Sequence, residues 1–193
     1  MAHATFYYDF NSPYAYLAAE RLEEFVPGAE WTPIAFAILL NQLGELDERL
    51  TNLNTAPIVE EITARASDRG LPAFAPPEGW PVQSWSLAPL RAALVAEELG
   101  RQREFALAAF RKSFVESRSL ADVPNVLAAA TDAGLDPDEI AAGIQRDDVK
   151  ERLKRNTADA LERGVTGIPT VAIGDELIWG DDRLEQAAIV KNR

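Results

Sequence analysis

The sequence predicts an α/β fold in which a four-stranded mixed sheet is interrupted by an all-helical insertion. Three observations lead to it. Strand, helix and strand patterns follow one another between Thr5 and Phe36; only helical periodicity runs from about residue 86 to 163; two short strands and a closing helix occupy residues 169 to 190. Neither strand-bearing end is large enough to bury a sheet by itself, so the two join and the helical block between them is an insertion.

Thr5–Phe10 (TFYYDF) is aromatic and β-branched and is closed by Asn11-Ser12-Pro13, the pattern of a strand meeting a turn. From Tyr14 apolar residues recur at helical spacing (Leu17, Ala18, Leu22, Phe25), with Glu20, Arg21, Glu23 and Glu24 between them. Ser12 is a favoured N-cap residue and Pro13 suits the first helical position, so this helix has a marked start. Pro27-Gly28 ends it. Glu30–Phe36 is a second strand, with Pro33 placing it at an edge or a bulge, and the crossover between the two strands is right-handed. Asn41–Thr55 is polar with no clear period, and Ile58–Arg69 is a helix stopped by Gly70. Residues 71–85 (LPAFAPPEGWPVQSW), rich in proline and aromatics, form an irregular connection. Helices follow at about 86–99, 103–117, 122–133, 137–145 and 147–163, punctuated by Gly100, Asp122, Gly134, Asp136 and Gly164. Pro169–Ile173 and Leu177–Trp179 are strands of a hairpin turning at Gly174-Asp175-Glu176, and Asp182–Val190 is the closing helix. This order is that of a thioredoxin-like four-stranded mixed sheet with an inserted all-helical subdomain. Residues 1–70 and 164–193 make up the thioredoxin-like domain, and residues 71–163 the helical insertion domain.

The chain has no cysteine, and its one histidine, His3, lies at the start. A disulfide framework, a thiolate zinc site, a CxxC redox centre, a cysteine nucleophile, a histidine-based triad and a multi-histidine metal site are all excluded. Thirty-one acidic residues against nineteen basic ones give a net charge of −12. A field of that sign repels a phosphate backbone and argues against nucleic acid as a partner. No apolar run approaches the roughly 20 residues needed to span a bilayer, and Met1-Ala-His-Ala-Thr lacks the basic and apolar regions of a signal peptide. The expectation is an acidic, cytoplasmic globular protein without a membrane partner.

Two segments carry a specific resemblance. Asp9-Phe10-Asn11-Ser12-Pro13-Tyr14-Ala15-Tyr16-Leu17 resembles the N-terminal signature of the 2-hydroxychromene-2-carboxylate isomerase and kappa-class glutathione transferase family. Gly164-Val165-Thr166-Gly167-Ile168-Pro169-Thr170, followed by Trp179-Gly180-Asp181-Asp182-Arg183-Leu184, resembles its C-terminal signature. Weaker likeness runs through Phe110–Asp122, so the resemblance covers about Thr5 to Val190. It implies a DsbA-like thioredoxin fold that binds glutathione or another low-molecular-weight thiol. In that reading Ser12 is the catalytic serine facing the sulfur. Asp181 and Asp182 hold the γ-glutamyl end, and the backbone of Ile168, before a cis Pro169, pairs with the cysteinyl part. The implied activity is isomerisation of a small aromatic substrate by reversible thiolate addition. A kappa-like glutathione transferase, or a drifted scaffold without redox activity, stays open as an alternative, as does a homodimer.

The physics of Ser12 stands beside the resemblance. The first N–H groups of a helix lack internal partners, and the dipole places about half a positive charge there, so a thiolate is stabilised at that end. Ala15, where redox members of the fold carry a cysteine, cannot resolve a mixed disulfide. Where the family has an asparagine after a glycine, this chain has Glu45 after Gly44, and no lysine or arginine is evident in Thr51–Pro57. Trp31, Trp80, Trp85 and Trp179 are expected to pack, Arg183 to be a surface partner of an acid, and Phe74 and Trp85 are candidates for the wall of a hydrophobic pocket.

Overall fold

The computed structural model describes residues 3–192. The chain runs β1 (Ala4–Tyr8), α1 (Pro13–Phe25), β2 (Glu30–Pro33), α2 (Phe36–Gln42), α3 (Leu46–Thr51) and α4 (Thr55–Asp68). After an irregular connection come α5 (Leu87–Glu98), α6 (Gln102–Phe114), α7 (Val123–Asp132), α8 (Pro137–Gly143) and α9 (Asp147–Glu162). The chain closes with β3 (Thr170–Ile173), β4 (Glu176–Trp179), a 3₁₀ turn (Asp181–Arg183) and α10 (Leu184–Lys191). No helix among the described residues is long and apolar enough to cross a membrane.

The four strands form one mixed sheet in the order β2-β1-β3-β4. β1 pairs parallel with β2 and antiparallel with β3, and β3 pairs antiparallel with β4. Every residue of β1 is buried, because both faces of the sheet are covered. Side chains alternate along a strand. Ala4, Phe6 and Tyr8 therefore join Val171 and Ile173 in the large core shared with α1 and α6, while Tyr7 and Ala172 face the opposite way. That second face is closed by Ile34 and Leu39 and by Ala160 of α9. α9, read from the sequence as the last helix of the insertion, thus serves the sheet directly. The large core runs without a break from Phe6 and Leu17 through Leu90 and Phe110 to Val126 and Ile140.

Local chemistry accounts for most boundaries. Ser12 is the N-cap of α1, its Oγ accepting from the Ala15 N–H at 3.2 Å, with Pro13 at the first position. Asn54 caps α4 by accepting from the Ala56 N–H, which starts that helix three residues before the expected Ile58. The expected strand to Phe36 ends at Pro33, α2 begins at Phe36 itself, and the polar stretch Asn41–Thr55 holds the last two residues of α2 and all of α3. Both are short, and they bury only Leu39 and Leu40 and nothing, respectively, so they leave no apolar period to read. The closing helix divides into the 3₁₀ turn and α10.

Candidate active site

A cleft of about 370 Å³ opens where the loop before β3 meets the end of β4 and the face of α4. Ile168, Pro169 and Trp179 form one wall, Tyr14 of α1 and Arg65 of α4 another, and Asp181, Asp182 and Arg183 of the 3₁₀ turn the floor. The structure thus brings together four of the residues singled out in the sequence, Ile168, Pro169, Asp181 and Asp182. Ser12 is half-buried and stands two residues before Tyr14 rather than on the cleft wall itself.

The Ile168–Pro169 peptide bond is cis. On either side of Ile168 the carbonyls are occupied: that of Gly167 accepts from Thr170 Oγ1 at 2.7 Å, and that of Pro169 accepts from the Gly180 N–H at 3.0 Å. The Ile168 N–H and carbonyl have no hydrogen-bond partner among the described residues. The loop therefore offers the cleft one residue's worth of open backbone on an otherwise satisfied frame.

At the start of α1 the donors are rationed. Pro13 has no N–H, the Ala15 N–H is taken by Ser12 Oγ, and the Tyr16 N–H by the Ser12 carbonyl. Tyr14 supplies the remaining first-turn N–H. Ser12 Oγ accepts through a lone pair, which leaves its proton to donate elsewhere. The preceding loop is held firmly. Asp9 accepts from the Asn11 N–H at 3.0 Å and the Phe36 N–H at 2.9 Å, Asn11 Nδ2 donates to the Pro81 carbonyl, and Trp80 Nε1 donates to the Asn11 carbonyl. Burial raises the Asp9 carboxyl above its ordinary value, only partly offset by those N–H groups and by the Ser86 hydroxyl.

The floor is an ion network. Asp181 is 1% exposed, and both its oxygens are engaged, Oδ1 by Arg65 at 2.5 Å and Oδ2 by Arg69 at 2.6 Å. Arg65 also reaches Glu61 at 2.5 Å and lies over the Tyr14 ring, 5.7 Å from its centroid. Burial works against the Arg65 charge, but Asp181 and Glu61 outweigh it and raise its pKa. The Tyr14 hydroxyl donates to Glu61 at 2.6 Å, and burial, followed by Glu61, pushes its pKa up to about 12. Asp182 and Arg183 are exposed and make no ion pair among the described residues. Asp182 folds back over Gly180, whose φ of +119° suits a residue without a side chain.

Several sequence expectations need correction. Trp31 and Trp80 pack, but Trp179 is 60% and Trp85 71% exposed. Phe74 is buried against Phe114 and does not line the cleft. Arg183 lines the cleft instead of pairing with an acid. Glu45 pairs with Arg49 on the exposed face of α3, away from the cleft. The bases at the cleft are Arg183 and Arg65, with Arg69 behind Asp181; Arg65 and Arg69 belong to the helix expected over Ile58–Arg69, and nothing local in the sequence marks them. The signal that would have marked them, their shared carboxylate, lies 116 and 112 residues away.

The fold and cleft define a thioredoxin-type protein with a helical insertion and a cleft beside its cis-proline loop. Residues 4–189 match the family model described as the DSBA-like thioredoxin domain, and the chain belongs to that family. It is homologous to the 2-hydroxychromene-2-carboxylate isomerase of Sphingobium xenophagum, with 25% identity over 187 residues and 93% of each chain covered. A solved 2-hydroxychromene-2-carboxylate isomerase shares the fold with a TM-score of 0.81 at 21% identity, covering 98% of this chain and 94% of that one. A probable DsbA oxidoreductase from Streptomyces coelicolor shares it with a TM-score of 0.73 at 20% identity, covering 97% and 88%.

Proposed function

We propose that the protein is a glutathione-dependent isomerase of the 2-hydroxychromene-2-carboxylate type. The observation that carries this reading is the unpaired Ile168 backbone on the wall of a cleft whose floor balances charges of both signs. An extended tripeptide pairs with such a residue as a strand pairs with its neighbour. Asp181 is 1% exposed and held on both oxygens by arginines, so an incoming ammonium falls to the exposed Asp182. The carboxylates of the tripeptide meet Arg65 and Arg183 in a protein whose overall charge of −12 otherwise repels them.

Glutathione, when bound, would supply a thiolate for reversible addition to the conjugated substrate. The chain supplies the environment. Ser12 donates its free hydroxyl proton towards the sulfur, while the α1 N-terminus and the Tyr14 N–H favour negative charge there. Without a cysteine the chain has no dithiol of its own to cycle. The aromatic substrate is placed by the exposed Trp85, which shares a small recess with Asn11, the residue before Ser12.

The test is turnover of 2-hydroxychromene-2-carboxylate with and without glutathione, by the wild type and Ser12→Ala. Expected is thiol-dependent isomerisation that leaves the thiol pool unchanged and falls about a hundredfold in Ser12→Ala, the order seen when one preorganised donor is removed. A conjugate accumulating as thiol is consumed points to a transferase. No thiol dependence, or equal rates for the two proteins, refutes the proposal.

A further inference from the structure

We infer that Arg65 makes the cleft selective for a thiol bearing a free carboxylate, and that Asp181 and Arg69 act as its positioning pair. The inference rests on the thiol-binding reading above. Arg65 is held on three sides, by Asp181, by Glu61 and by the Tyr14 ring, yet its side chain remains 28% exposed on the cleft wall. A guanidinium has five N–H donors. Its bonds to Asp181 and Glu61 use one each, leaving three for a ligand. Arg69 neutralises the second oxygen of Asp181, so the buried carboxylate orients Arg65 without claiming it alone; the Asp181–Glu61–Arg65–Arg69 network is neutral, with no net negative charge to repel a carboxylate. A planar guanidinium fixed in this way recognises a carboxylate through two parallel bonds, which an ammonium cannot reproduce. Arg183 also lines the cleft but lacks an orienting partner among the described residues, so it adds charge rather than geometry.

The experiment is isothermal titration with glutathione, with its diethyl ester, in which both carboxylates are capped, and with S-methylglutathione, which keeps them but has no free thiol. Proteins are the wild type, Arg65→Gln, Arg65→Lys and Arg69→Gln, each checked for an unchanged circular-dichroism spectrum. Expected for the wild type is binding of both free acids roughly ten- to a hundredfold tighter than the ester, the range of a hydrogen bond to a charged group. Arg65→Gln abolishes that preference while leaving the ester affinity within about twofold, a residual preference survives in Arg65→Lys, and Arg69→Gln reduces it by a smaller factor. If Arg65→Gln still prefers the acids, or weakens acid and ester equally, Arg65 is structural and the inference fails while the thiol reading stands. If the wild type binds none of the three, both fall.

Discussion

Gly167 and Trp179 show how a single missing side chain shapes the cleft. A Cβ built on Gly167 lies 2.5 Å from both Cε2 and Nε1 of Trp179, so the indole rests flat against the backbone of the loop before Ile168. No backbone strain demands glycine here; the neighbouring ring does. Because that ring is 60% exposed, Gly167→Ala is expected to swing it into solvent at a cost of about 1 kcal/mol, the low end for an inserted methyl group. In a Trp85→Phe background, Trp179 emission shifts to the red and glutathione affinity drops. A cost above about 3 kcal/mol with unchanged emission would show instead that the indole is fixed and the loop yields. Legibility at this scale followed sequence distance. Ser12 and Pro13 announce a helix start because cap and helix are neighbours. Trp179 read as a packing residue because the chain does not show which of its faces meets solvent, and nothing singled out Arg65 because its buried carboxylate partner lies on another segment.

Asp9 acts between elements. Its two oxygens receive N–H groups from the loop before α1 and from the first residue of α2, and Ser86 joins them at the start of α5. One carboxylate thus pins the loop carrying Ser12 to the start of the well-buried α5 and to α2, which buries only Leu39 and Leu40 of its own. Asp9→Ala strands two N–H groups in the interior, at roughly 1–3 kcal/mol each, partly offset by removal of a buried charge. The pH dependence has a definite sign. Burial raises the folded carboxyl above its ordinary value of 3.8, so the native state binds the proton more tightly than the unfolded chain. Its contribution is therefore full below the ordinary value and declines as pH rises through the folded one. The stability gap between wild type and Asp9→Ala, from urea denaturation, is expected to widen from pH 7 to pH 4.5; a narrowing gap would contradict this account. The sequence supplied strong signals for the long amphipathic helices. It was silent on α2 and α3 for the same reason that Asp9 matters, since they are secured by polar contacts and a few leucines rather than by a periodic apolar face.

Across the whole molecule, an aromatic file joins sheet to insertion. Trp31 meets Phe6 edge-on at 5.0 Å, Phe6 stacks on Tyr8 at 5.4 Å, and Tyr8 contacts Phe10 at 5.4 Å. Phe10 then meets Phe110 of α6 at 4.9 Å, and Phe114 carries the file to Phe74 in the irregular connection. The topology was readable from element order alone, because connection rules leave few ways to join these two ends. This file was not readable, since its members come from segments separated by up to a hundred or so residues and only the folded chain aligns them. Its consequence is cooperativity. The parts before residue 70 and after residue 164 share with the inserted helices one core, whose aromatic centre includes Phe110, fully buried and in contact with Tyr8, Phe10, Tyr16 and Phe114. Phe110→Ala is expected to cost about 3–5 kcal/mol, as deletion of a buried phenylalanine does. It should do so without splitting the transition: in a Trp80→Phe, Trp85→Phe, Trp179→Phe background, far-ultraviolet circular dichroism, reporting mainly the inserted helices, and fluorescence of the buried Trp31, reporting the sheet, should move together to lower denaturant with coincident midpoints. If the helical signal shifts while Trp31 does not, the insertion unfolds on its own and the shared core does not couple the two halves.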